Sequence, residues 1–315
     1  SSLRRSGQEL VPGCATVWPS KVFGRLSGPC GSIADHRSPR PTARCNPGPA
    51  GRSSDSTTVH GVTPIAFAHR GFSPDGAENS LAAFQAAADL GYRHLETDAR
   101  VSADGVAIAF HDFLLDRVTN HVGRLDALSW AEISKARIMG REPIPRLEEV
   151  LGQFAGLSIN IDVKSAAAVG PALDAIRRTN SWNRVRLAAF SDRRLAVLRS
   201  VAGPDVATGL SPNEILALKI ASTRPFARRL GRRQYPVRPI RGDRAAQVPS
   251  GTAWLRLVDR PFIEASHHRG IPVHVWTINR RAEMIRLLDL GVDGIMTDRA
   301  DVLRDVLQKR GEWRP

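Results

Sequence analysis

At 315 residues, with a formal net charge of +14, 24% charged and 42% hydrophobic residues, the chain has room for one large α/β domain and is basic enough to raise the question of an anionic partner. No run approaches the 18 or so consecutive apolar residues of a helical membrane span. Cys14, Cys30 and Cys45 all fall in the first 60 residues at spacings that match no common zinc pattern, so the remainder relies on neither disulfides nor thiolate chemistry.

Residues 1–60 carry ten Ser, seven Pro and seven Gly without apolar periodicity, and eight basic side chains against Glu9, Asp35 and Asp55. The stretch reads as a disordered basic tail with no apolar core of a secretory signal. A cytoplasmic location is expected, and residues 61–315 are expected to form a single domain.

Ile65 to Ala68 is an apolar run that delivers His69 and Arg70, as a buried parallel strand does at the mouth of an α/β fold. Asn79 and Ser80 are both N-cap candidates for a helix over Ser80 to Leu90. Leu95 to Ala99 is the second strand. Its side chains alternate, so Glu96 and Asp98 share a face. Asp104-Gly105 then reads as a two-residue hairpin turn into Val106 to Phe110, a register that sets Asp98 opposite His111. Phe113 to Glu142 interrupts the alternation as a small inserted subdomain, with Ser129 and Glu132 spaced as a capping box.

Beyond it, helical patterns at Arg146 to Phe154, Arg193 to Val201 and Arg281 to Leu290, the last stopped by Gly291, alternate with strands. The strands are expected at Ser158 to Val163, Arg186 to Phe190, Ala207 to Leu210, Ala246 to Pro249, Pro272 to Trp276 and Gly294 to Met296. Eight parallel strands in about 250 residues point to a (β/α)8 TIM barrel. His69, Asp98, Asp162 and Trp276 then fall at the C-terminal strand ends, where such barrels place their sites.

Between a possible helix at Pro212 to Ile220 and the sixth strand lies a second insertion, residues 221–245. It carries eight arginines, Phe226, Leu230 and Tyr235, against Asp243 alone. Two readings stand side by side: a lip in peripheral contact with an anionic membrane, or a solvated arginine-rich loop. No motif of nucleic-acid recognition accompanies the charge, so no nucleic-acid partner is expected. Tail and insertion hold most of the excess charge, which leaves the barrel itself close to neutral.

The chemistry concentrates in His69-Arg70-Gly71, Glu78-Asn79-Ser80, Glu96-Thr97-Asp98 and Phe110-His111-Asp112. Singly, each is an ordinary structural group. Together they supply oxygen ligands for a hard cation, an acid and base titrating near neutrality, and a guanidinium for phosphate, which are the parts of metal-assisted phosphodiester cleavage.

These four motifs resemble the signature of the glycerophosphodiester phosphodiesterase family. The likeness extends from about Ile65 to Leu307 through Leu115-Asp116-Arg117-Val118-Thr119 with Gly123, Pro145 to Leu151, Asn160 to Lys164, Val275 to Asn279 and Gly291 to Asp298. It implies a metal-dependent hydrolase releasing glycerol 3-phosphate and an alcohol. By position, Glu96, Asp98 and Asp162 would hold one Mg2+ or Ca2+. His69 and His111 would be the acid and base. Arg70 would contact the phosphate, Lys164 would neutralise developing charge, Trp276 would wall the pocket and Glu78 would orient Arg70 or a histidine. The family usually carries Glu where this chain has Asp162, a methylene shorter. The residues leave open whether water or the glycerol 2-hydroxyl attacks; similarity to the phosphatidylinositol-specific phospholipases C of the same barrel favours the hydroxyl. Lysophospholipid hydrolysis to lysophosphatidic acid uses the same residues. A barrel retained only to bind phosphate or lipid is the non-enzymatic alternative.

Overall fold

The run Ile65–His69 (β1) leads through helix Leu81–Asp89 (α1) to His94–Val101 (β2), and β1 and β2 pair in parallel with His69 level with Glu96. This computed structural model describes residues 63–223, 243–251 and 256–315. The chain divides into two units, Ser1–Thr57 and Thr58–Pro315. The first, with the basic tail, lies outside the described residues, as do positions 224–242 of the arginine-rich insertion.

Antiparallel to the end of β2 runs Ala107–Ala109 (β3), followed by the short helix Trp130–Ile133 (α2) and the ribbon Arg137–Ile138 (β4) and Glu142–Pro143 (β5). Alternation then resumes with Leu147–Gln153 (α3), Ser158–Val163 (β6), Val169–Arg178 (α4), Val185–Ala188 (β7), Asp192–Ala202 (α5), Ala207–Gly209 (β8) and Pro212–Ala221 (α6). It ends with Arg244–Pro249 (β9), Arg260–His267 (α7), Val273–Trp276 (β10), Arg281–Leu290 (α8), Gly294–Thr297 (β11) and Ala300–Lys309 (α9). Parallel pairing runs β1-β2-β6-β7-β8-β9-β10-β11 and back to β1, so the expected eight-stranded (β/α)8 barrel is closed.

Local chemistry explains the helix starts. Ser80, Ser129, Ser191, Ser211 and Asp259 each accept the backbone N–H three residues on. Ser129 and Glu132 complete the expected capping box. Gly291 ends α8 at φ 95°, a conformation only glycine adopts without cost. Of the two N-cap candidates, Ser80 takes the role and frees Asn79 for the site.

Alternate strand residues face outward. Leu95, Ile159, Ile161, Val163 and Leu187 pack against Phe84, Leu147, Leu151, Leu173, Leu195 and Leu198 in one core, and Val248, Val273, Val275 and Ile295 pack against Phe262, Met284, Leu287 and Leu303 in another. The insertion has its own core of Ile108, Phe110, Leu115, Leu125, Ile133 and Ile138.

The inward residues beneath the site are unusually polar. Gln247 donates across the lumen to Asn160 (2.8 Å), and Phe67 sits between the rings of His94 (5.4 Å) and His274 (4.9 Å). Gly294 makes room: a Cβ there would lie 2.9 Å from His274 Cδ2. His274 is 1% exposed, and among the described residues neither ring nitrogen has a hydrogen-bond partner. Burial, then Arg186, pushes its pKa down from 6.5 to about 3. The unfolded chain takes up this proton below pH 6.5 and the folded one does not, so stability falls as pH drops from 6.5 towards 3, by roughly 2 kcal/mol at pH 5. His274→Leu should therefore narrow the gap between thermal midpoints at pH 7.5 and pH 5; equal gaps in both proteins would show that His274 is not the cause.

Candidate active site

Every site residue expected from the sequence lies at the C-terminal end of the barrel. Past His69 the chain turns sharply, with Arg70 at φ 57° and Gly71 at φ 85°. A Cβ at Gly71 would sit 2.6 Å from the carbonyl carbon of Ala83, so only glycine lets the loop lie against α1. The turn brings Arg70 N–H to the Glu96 backbone oxygen (3.0 Å) and Oε2 (3.1 Å).

Glu96 and Asp98 are 4% and 1% exposed and both point into the lumen. Asp98 is the hub. Its Oδ2 accepts from Asn79 Nδ2 (3.0 Å) and lies 3.1 Å from Arg70 Nε, while Oδ1 is 2.8 Å from Lys164 Nζ. Asn79 is fixed in turn by Thr97 Oγ1, which donates to it at 2.8 Å. Asp162 stands beside Asp98 in the β2–β6 register and accepts from Lys164 Nζ at 2.6 Å. Burial works to raise the Asp98 carboxyl, but Lys164 and Arg70 outweigh it and hold it well below the usual range.

The two histidines are built alike. His69 Nδ1 meets Asp298 Oδ1 at 2.6 Å, and His111 Nδ1 meets Asp112 Oδ1 at 2.6 Å. Each carboxylate fixes the ring and leaves Nε2 for the site; His69 Nε2 lies 3.8 Å from Glu96. Asp298 is itself held by Asn279 Nδ2 (2.7 Å). Burial opposes protonation of His69, yet Glu96 and Asp298 raise its pKa overall. Asp112 is held by Arg117, which also grips both oxygens of Glu78 (2.6 and 3.2 Å); Glu78 accepts from Arg70 at 2.9 Å. A continuous chain of ion pairs thus joins His111 to Arg70. Trp276 packs edge-on to Phe190 (5.2 Å), whose ring lies 5.8 Å from Lys164 Nζ.

The structure corrects the hairpin. Val101 pairs with Ala107 and Ala99 with Ala109, so the loop is the three residues 103–105, with Gly105 at φ 83° and Ser102 closing it through Val106 (3.1 Å). Ser102 Oγ also donates to Asp104 Oδ1 (2.5 Å), which takes that residue out of a two-residue turn. Asp98 therefore stands opposite Phe110, not His111, and the histidine lies one residue past the ladder.

Among the described residues no three His, Cys, Asp or Glu side chains surround a common point, and Lys164 Nζ lies between Asp98 and Asp162. The donor chemistry nevertheless suits a hard divalent cation: the donors are all oxygen, Asp162 Oδ1 is buried with no hydrogen-bond partner among the described residues, and Glu96 is pushed up to about 7 by burial and by Asp98. A buried carboxylate cluster of this kind gains from added positive charge.

Asn79, Asp112, Arg117, Asn279 and Asp298 carry no role in the site on the sequence reading, although all five lie in the quoted motifs. Most of their partners are far along the chain, and proximity in sequence signals only the His111–Asp112 pair.

The family model described as glycerophosphoryl diester phosphodiesterase matches residues 69–302. A Mycobacterium tuberculosis relative named "Probable glycerophosphodiester phosphodiesterase 2" is 40% identical, covering 79% of this chain and 92% of its own. A human relative named as a lysophospholipase D is 26% identical over 76% of this chain and 85% of its own. An Oleispira antarctica phosphodiesterase structure, in complex with the product sn-glycerol-3-phosphate, shares the fold at a TM-score of 0.61 and 21% identity, covering 78% of this chain and 97% of that one. The closed barrel, the site at its mouth and these likenesses agree, and the chain belongs to the glycerophosphoryl diester phosphodiesterase family of phosphoric diester hydrolases.

Proposed function

We propose that this barrel hydrolyses glycerophosphodiesters to glycerol 3-phosphate and an alcohol, with His69 and His111 as the acid/base pair. The observation that carries this reading is the matched pair of Asp–His contacts at 2.6 Å, each leaving Nε2 free beside a cluster of buried carboxylates and cations. One histidine takes the proton of the attacking hydroxyl or water, and the other delivers a proton to the leaving alkoxide. Each transfer contributes roughly 10²–10⁴ in rate. Arg70 is pinned by Glu78 and Asp98, so its remaining N–H groups meet a phosphate oxygen at little entropic cost. Lys164, half-enclosed between two aspartates, offsets charge that grows on the phosphoryl oxygens. Trp276 and Phe190 form an aromatic wall. Glu96, Asp98 and Asp162 are the residues that would hold Mg2+ or Ca2+, which supplies positive charge against the diester when bound.

Lysophospholipid hydrolysis is the second reading, favoured by exposed apolar side chains on the insertion: Phe113, Leu114, Val122 and Met139. The proposed membrane contact through residues 221–245 falls mostly outside the described residues. No described helix is long and apolar enough to cross a membrane.

Metal-stripped protein, tested on glycerophosphocholine and lysophosphatidylcholine with Mg2+ or Ca2+ restored, separates these readings. Faster turnover of the water-soluble diester supports the first, faster turnover of the lysolipid the second, and activity indifferent to chelation refutes the metal assignment. His111→Ala serves as the blank.

A further inference from the structure

Three half-buried arginines of this barrel have acidic partners: Arg70 with Glu78 (2.9 Å), Arg186 with Asp243 (2.7 Å) and Arg199 with Glu214 (2.8 Å). Arg100 and Arg194, at the mouth, do not. Arg100 follows Ala99, whose register partner on β6 is Val163. Its Nε donates to the carbonyl of His111 (2.9 Å). Arg194, in the first turn of α5, donates Nη1 to the carbonyl of that same Val163 (2.7 Å). Both guanidiniums are therefore anchored at the mouth-side end of the β2–β6 pair, Arg100 on the carbonyl of a proposed catalytic histidine and Arg194 on that of the residue between Asp162 and Lys164. Among the described residues neither forms an ion pair, and no protein group accepts their remaining N–H groups. Burial lowers the basicity of both and outweighs the carboxylates of Asp98, Asp112 and Asp162, which raise that of Arg100 from beyond contact distance, as Asp162 does for Arg194.

Among the described residues neither guanidinium touches a carboxylate, so both keep donors to spare in a partly buried setting, which costs stability. Each is instead tethered by one hydrogen bond to a main-chain carbonyl, which aims the rest of the fork. A phosphate monoester matches two such forks, since it carries nearly two charges and three acceptor oxygens. A quaternary ammonium at the same place meets repulsion.

We infer that Arg100 and Arg194 form an anion subsite beside the reacting diester, which selects substrates whose alcohol carries a second acidic group, a phosphate monoester above all. This rests on the diesterase reading and deepens it by naming the substrate class.

The test compares two diesters that differ only by that group: sn-glycero-3-phosphoinositol and its inositol 4-phosphate derivative, with metal restored. At low salt the wild-type kcat/KM should favour the phosphorylated diester by about tenfold or more, the worth of one or two charge-assisted contacts. In R100Q/R194Q the loss should fall on the phosphorylated diester and bring the ratio close to one. If that double variant does not fold, the wild type still decides, because the preference must shrink as salt screens it. A wild-type ratio near one, a ratio that survives the double variant, or one indifferent to salt overturns the subsite and leaves the diesterase reading intact. Turnover of neither diester overturns both.

Discussion

His69→Asn and His111→Asn should each lower kcat by roughly 10²–10⁴ with little change in thermal midpoint. Asparagine places an amide close to the position of Nδ1, so it retains a partner for Asp298 or Asp112, whose contacts to the histidines are 2.6 Å in both cases. What it removes is Nε2, the atom that faces the site. Because the two histidines serve one reaction, the double variant should lose much less than the product of the single losses. Steady-state kinetics on glycerophosphocholine, with melting curves for the same preparations, checks this. Single variants that keep more than a tenth of wild-type kcat would remove the histidines from the chemistry.

Asp98→Ala should be costly in stability as well as in turnover. Asp98 lies against Arg70 Nε (3.1 Å), Lys164 Nζ (2.8 Å) and Asn79 Nδ2 (3.0 Å). Its removal leaves two largely buried cations with less compensation, and breaking such a pair costs about 3–5 kcal/mol. In a domain of this size that lowers the midpoint by roughly 6–20 °C. The second substitution Lys164→Met should recover part of the loss, since it removes one of the stranded charges. A midpoint within 2 °C or so of wild type in the single variant would mean that the cluster relaxes and the pairing carries little energy.

The barrel was legible because its strands are short apolar runs ending in charge, and because Ser80 and Ser129 mark helix starts. Period-two alternation correctly turned Glu96 and Asp98 to one side. The hairpin was misread for a local reason: Asp104-Gly105 is a good two-residue turn on backbone grounds, and the Ser102 hydroxyl bond to Asp104 favours three residues instead. A shift of one residue changes every facing pair, and it removed the expected partner of His111. The partners of the histidines were legible to different degrees. Asp112 adjoins His111, whereas Asp298 meets His69 only because β11 lies against β1. Arg117 was visible as part of a motif, but its grip on Glu78 joins positions 39 apart in sequence, which no local pattern signals. Lys164 between Asp98 and Asp162 was equally hidden, because residues two apart on a strand suggest a shared face and nothing about which group stands between them.

The contact between His69 and Asp298 spans 229 positions of sequence, and it crosses the seam where the first strand meets the last. A chain growing from its N-terminus holds His69, Glu96, Asp98 and His111 well before residue 298 exists. Until then the imidazole has no carboxylate to set its tautomer, however well the first strands have paired. Loop-closure entropy makes that longest-range pairing among the slowest to form. The chemical competence of the site is thereby tied to topological completion: partly folded barrels with an open seam carry the residues of a hydrolase without its aligned first histidine, and the last β-strand added is also what arms it.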